Sequence, residues 1–202
     1  MRNAFAALVA IVCWAGLAIQ FAATYGHHHQ LVTTIWILGR FFTIVTNLIV
    51  AGVMTWVATG GRAPPLLLGG VTLASLLVGV VYGTLLHGSQ SLQGPAVIAN
   101  TLLHVVSPVL MAAWWLLFAP RARLKWNAPW LWTIYPLVYF AYVLARVRAG
   151  DHYPYPFIDM PRIGWVQTAL NAGGIALGFI LAGFLLVWID SWRPLGSKKA
   201  NG

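Results

Sequence analysis

Acid is almost missing from this chain. Its 202 residues hold three carboxylate side chains, Asp151, Asp159 and Asp190, and no glutamate. Charged residues of both signs make up only 7% of the sequence, against roughly a quarter in an ordinary soluble domain. With 60% hydrophobic residues, this scarcity excludes a soluble enzyme and a disordered chain, since neither can keep so much apolar surface in water. The single cysteine, Cys13, excludes an intramolecular disulfide and hence a disulfide scaffold. No lysine lies in a long apolar run, which disfavours a retinal Schiff base, and no internal repeat is evident. What remains is an integral membrane protein.

Twelve basic residues against three acids give a net charge of +9. The basic residues sit in short gaps between apolar runs rather than along one face, so they read as topology signals and not as a nucleic-acid surface.

A spanning helix needs about 20 mostly apolar residues. Six stretches qualify: Ala4 to Thr24, Leu31 to Thr59, Pro65 to His87, Pro95 to Ala119, Ala128 to Arg146 and Ile163 to Ile189. The gaps carry the expected breakers, Gly60-Gly61 with Pro64-Pro65, Gly88 to Gly94, and Pro120 to Pro129. The first run is longer than the core of a secretory signal and is read as a retained helix. The fold class expected is therefore all-α, a polytopic bundle of six transmembrane helices. Residues 1–192 form one domain and 193–202 a basic cytoplasmic tail.

Orientation follows from the basic residues. With the N-terminus inside, the inner face carries Arg2, Arg62, Arg121, Arg123, Lys125, Arg193, Lys198 and Lys199. The outer face carries only Arg146, Arg148 and Arg162. This positive-inside bias predicts that both termini are cytoplasmic. Trp126, Trp130, Trp132, Trp165, Trp188 and Trp192 fall near predicted helix ends, where interfacial aromatic belts form.

Polar side chains inside a span are costly and mark function or helix association. The second run carries Arg40, Thr43, Thr46 and Asn47; Arg40, Thr43 and Asn47 share one helical face. Arg40 is the only basic residue well inside a span, and no acid is visible in the spans to pair with it. A bound anion, backbone carbonyls or cavity water is expected to compensate it. The fourth run answers with Asn100, His104 and Ser107 on one face, and Pro108 removes a helical donor from the His104 carbonyl. Counted along straight helices, Thr43 and His104 reach similar depths near mid-membrane.

The remaining polar features carry less chemistry. His27, His28, His29, His87 and His152 map to the outer face, and their spacing matches no metal motif, so no metal or cofactor is expected. Tyr135, Tyr139, Tyr142 and Arg146 line one face of the fifth run, with Pro136 as a kink candidate. In the sixth, Gly174 and Gly178 have small-xxx-small spacing, and Asn171 is a candidate for interhelical glue.

Three segments together resemble the bacterial six-helix membrane proteins related to the androgen-induced gene and androgen-dependent TFPI-regulating protein family. They are Arg40-Phe-Phe-Thr-Ile-Val-Thr-Asn47, Asn100-Thr-Leu-Leu-His-Val-Val-Ser-Pro108 running into Trp114-Trp115, and Tyr153-Pro-Tyr-Pro-Phe-Ile-Asp159. The resemblance implies intramembrane hydrolysis of lipid esters, such as fatty acid esters of hydroxy fatty acids, with Thr43 as nucleophile and His104 as base. Thr46 competes for the nucleophile's role. Asn47 and Asn100 are candidate oxyanion donors, and Arg40 is a candidate anchor for a substrate carboxylate. The partners implied are membrane lipids and a lipid-ester substrate, in a bacterial inner membrane. The alternative is a lipid or small-anion carrier without hydrolytic activity; a structural subunit is a third reading.

Overall fold

A backbone surrounded by hydrocarbon must satisfy its own polar groups, and helices do so within one segment. The computed structural model describes residues 1–88, 93–120 and 124–192, and among these it contains helices and no strand. In chain order they are α1 (Arg2–His28), α2 (Leu31–Gly39), α3 (Phe42–Ala58), α4 (Pro65–Val81), α5 (Pro95–Thr101), α6 (Ser107–Phe118), α7 (Ala128–Arg148) and α8 (Met160–Trp192). A π-helical turn, Tyr82–Leu86, prolongs α4, and another, Leu102–Val106, joins α5 to α6. Prolines open α4 and α5, where a missing N–H costs nothing.

Five helical stretches among the described residues are long and apolar enough to cross a membrane: α1, α4 with its π turn, α5 through α6, α7 and α8. A sixth exists if α2 and α3 count as one span. Arg121, Arg123, Arg193, Lys198 and Lys199, used above for orientation, lie outside the described residues, as does the 193–202 tail.

The second run is not the straight helix expected. It breaks at Gly39–Phe41, where α2 and α3 meet at 95°. Phe41 is extended (φ −91°, ψ 125°), and the chain leaves the helix there without proline. The freed carbonyls are taken by α7. Tyr139 donates to the Arg40 carbonyl at 2.5 Å, Tyr142 to that of Gly39 at 3.2 Å, and Arg146 to that of Trp36 at 2.7 Å. Buried polar backbone has to find such partners. The tyrosine face of α7 is thus the template of the elbow.

Around it, α1 packs against α3, α5 and α6, while α4 lies against α3 and α6 and touches α7 and α8. Gly16 lets α1 close onto the π turn, since a Cβ there would stand 2.7 Å from Leu103 Cδ2. Two further expectations need correction. Trp132 is buried and donates to the Leu66 carbonyl at 2.8 Å, so it is a packing residue and not part of an interfacial belt. Gly174 and Gly178 face open space, and the close helix contact in α8 is made instead by Gly183 against Pro129 and Leu73.

Candidate active site

The site is built where the elbow meets the π turn. In a π turn each N–H reaches back five residues, so the Ser107 N–H goes to the Leu102 carbonyl, and the Leu103 carbonyl receives only the Ser107 hydroxyl at 3.3 Å from its own helix. The Leu103 carbonyl would then look to residue 108, which is a proline without an N–H. Asn47 fills the gap. Its Nδ2 donates to the Leu103 carbonyl at 3.2 Å and to the Thr43 carbonyl at 2.9 Å. Its Oδ1 accepts the Ser107 hydroxyl at 2.5 Å. One amide therefore locks α3 to the π turn.

That lock sets Thr43 against His104. The Thr43 Oγ1 lies 3.1 Å from His104 Nε2, and His104 Nδ1 lies 3.1 Å from the Asn100 carbonyl. A carbonyl can only accept, so Nδ1 carries the proton and Nε2 presents a lone pair. The Thr43 hydroxyl must be the donor in its contact. This is the geometry of an alcohol beside its general base, with the base oriented by a third group. The Tyr82 ring lies against the imidazole at 4.6 Å between centroids, and Asn100 Nδ2 holds the Tyr82 hydroxyl at 2.6 Å.

Thr46 has a different partner. Its hydroxyl lies 2.9 Å from that of Tyr135. Between the two threonines, the one beside the histidine is Thr43.

Sequence reasoning did not assign a site role to Tyr155, in the Tyr-Pro-Tyr-Pro-Phe segment. Its phenol lies close to Phe42 and Thr43 at the start of α3, and its ring stands edge-on to Phe41 at 6.1 Å between centroids. Asn171 donates to the Phe157 carbonyl at 2.8 Å, and Tyr155 stacks on Phe157 at 5.2 Å. So the candidate glue residue of α8 holds this segment in place. The segment itself, quoted above for its resemblance, was the available signal.

Asn47 and Arg40 stand apart from the reacting groups. The Asn47 amide is fully committed as described, leaving no N–H for a developing oxyanion, so it positions the site. Arg40, expected to lack an internal counter-ion, has one: its Nη1 lies 3.1 Å from Asp151 Oδ1. The elbow brings Arg40 level with the α7–α8 connection, which a straight helix would not do. Its Nε is buried without a hydrogen-bond partner. Asp151 also accepts from Arg146, 2.5 Å from Nη2, and from its neighbour's N–H at 2.8 Å. Among the described residues no group of three His, Cys, Asp or Glu side chains is placed to hold a metal.

Two cavities flank Thr43. One, of about 350 Å³, lies among α4, α7 and α8; the other, of about 300 Å³, lies among α1, α2 and α5. Thr43 and Tyr155 line both, while His104 and Asn100 line the second alone. Arg40 and Asn47 line neither.

No family model matches the chain, and no curated protein or solved structure matches it at a significant level.

Proposed function

We propose that the chain is an intramembrane hydrolase of lipid esters, with Thr43 as nucleophile and His104 as its base. The single observation that carries this reading is the 3.1 Å contact between Thr43 Oγ1 and a nitrogen left unprotonated by the Asn100 carbonyl. A threonine hydroxyl is a poor nucleophile unless a base removes its proton, and such a base is typically worth about 10²–10⁴-fold.

In this scheme Thr43 Oγ1 attacks the ester carbonyl carbon as its proton passes to His104 Nε2. The Tyr155 hydroxyl, in the same cavity walls as Thr43, is the donor that stabilises the oxyanion as it develops. The C–O bond to the alcohol then breaks, and the imidazolium returns the proton to the departing oxygen. Water attacks the acyl-threonine, gives its proton to His104, and regenerates the Thr43 hydroxyl. Ester and water become acid and alcohol.

The finer membrane assignment belongs to the same proposal. The chain sits in a bacterial inner membrane with six spans, α2 and α3 forming one broken span, and both termini cytoplasmic. Its family is that of the androgen-induced gene proteins, as the three segments suggest, with fatty acid esters of hydroxy fatty acids as a natural first substrate.

Purified protein in nanodiscs, given such esters, is expected to release free acid. Thr43→Ala and His104→Ala proteins that keep wild-type unfolding behaviour are expected to release none. A Thr43→Ala protein that still turns over ester removes the reading; one that binds lipid as tightly as an equally inactive wild type favours the carrier.

A further inference from the structure

We infer that the two cavities beside Thr43 are the two arms of one lipid-ester site. The acyl chain lies in the cavity among α4, α7 and α8, and the alcohol portion in the cavity among α1, α2 and α5. The inference rests on the hydrolase reading above and adds a direction to the bound substrate.

The direction follows from where the proton has to go. His104 takes a proton from Thr43 and must return it to the oxygen that leaves. That oxygen, and the alcohol attached to it, must lie within reach of Nε2. Only the second cavity is lined by His104. The acyl carbon becomes bonded to Thr43 Oγ1, and its chain is left to run into the other cavity, which Thr43 lines and His104 does not.

The linings agree with this polarity. The first cavity is walled by side chains such as Val78, Phe140, Ile175 and Phe179, which suit a hydrocarbon chain. The second includes Gln20, Thr24, Tyr82 and Asn100. Those groups suit an alcohol that itself bears hydrogen-bonding atoms. They also suit the water that must replace the departed alcohol next to His104, because water enters cavities that offer it polar partners. Tyr155, shared by both linings, stands at the junction over the nucleophile.

A crossed substitution experiment tests the assignment. Gly173 lines the first cavity and a Cβ added there meets nothing within 4 Å, so Gly173→Phe adds bulk at that cavity's wall without moving backbone. Ala96→Phe narrows the second. Each protein is assayed with 4-nitrophenyl butyrate, octanoate and palmitate, and with ethyl and hexadecyl butyrate. Gly173→Phe is expected to lower kcat/KM for palmitate relative to butyrate by about tenfold or more, with the ethyl-to-hexadecyl ratio kept. Ala96→Phe is expected to do the converse. The opposite pairing, or equal shifts in both series, overturns the assignment.

A second readout needs no turnover and no mutation. Palmitic acid carrying a terminal diazirine is photolysed with wild-type protein, with and without excess palmitate. Competed labels are expected on α7 and α8 peptides; competed labels confined to α1 and α5 reject the assignment. If labels fall on α8 while the wild type hydrolyses no ester, the hydrolase reading fails and the limb assignment with it.

Discussion

The Arg146 guanidinium lies 3.8 Å above the ring of Trp36 while donating to that same residue's carbonyl at 2.7 Å. Arg146 is thereby tied to the last turn of α2, and through Asp151 to Arg40 at the elbow. A planar fork makes the stacking and the several donations together, which a lysine cannot.

Replacing Arg146 should therefore unmake the elbow. Arg146→Met is expected to lower stability by about 3–5 kcal/mol, the usual cost of removing one member of a buried ion pair. Arg146→Lys is expected to recover little of it. Arg148→Met, at an exposed position two residues on, should change stability by less than about 0.5 kcal/mol. Equilibrium unfolding in mixed micelles reads all three.

Acid acts on the same junction through Asp151, whose side chain is only 9% exposed. Burial by itself works to raise its pKa. The His152 N–H and the hydrogen bond and charge of Arg146, followed by the charge of Arg40, outweigh burial and hold it below the ordinary 3.8. A carboxyl depressed on folding stabilises the fold at pH above its ordinary value. That contribution disappears as pH falls through the depressed value. The stability gap between wild type and Asp151→Asn should thus stay constant from neutral pH to about 4 and close only below it. A gap that closes between pH 7 and 5 contradicts this account.

Asn47 is a positioning residue and its removal has a structural signature. Asn47→Ala takes a donor from the Thr43 and Leu103 carbonyls and leaves the Ser107 hydroxyl only its 3.3 Å contact with the Leu103 carbonyl. Each such loss costs about 1–3 kcal/mol. Hydrogen exchange should show the π turn opening in this variant. Activity should fall with it, because the His104 ring rides on that turn.

Tyr155→Phe separates hydrogen bonding from packing. The ring keeps its stack on Phe157, and only the hydroxyl is lost. If that hydroxyl serves the oxyanion, kcat should fall about a hundredfold with KM little changed. A change confined to KM assigns Tyr155 to binding instead.

Much of the site was legible in the sequence because it is written in short helical spacings. Asn100, His104 and Ser107 fall on one face at i, i+4 and i+7, and Pro108 announces an irregular turn. Thr43 and Asn47 lie one turn apart, and Asn47 bonds back to the Thr43 carbonyl. The elbow was not legible. The run from Leu31 to Thr59 contains no proline, and its break depends on donors from α7, over 90 residues away in sequence. A straight helix over this run puts Arg40 deep in a span without an acid, whereas the elbow sets it beside Asp151 in a connecting segment. The depth of Thr43 does not follow from a straight rise from Leu31, because the chain turns by 95° at the elbow. Its contact with His104 comes about instead through the Asn47 lock.

The most direct measurement is intact-mass and peptide analysis of the folded protein after treatment with a fluorophosphonate probe. One adduct on Thr43 is expected in the wild type, with none in Thr43→Ala and a strongly reduced amount in His104→Ala. Folded wild-type protein that takes no probe, or that takes it at Thr46 or Ser107 with Thr43 untouched, would contradict the claim that His104 activates Thr43.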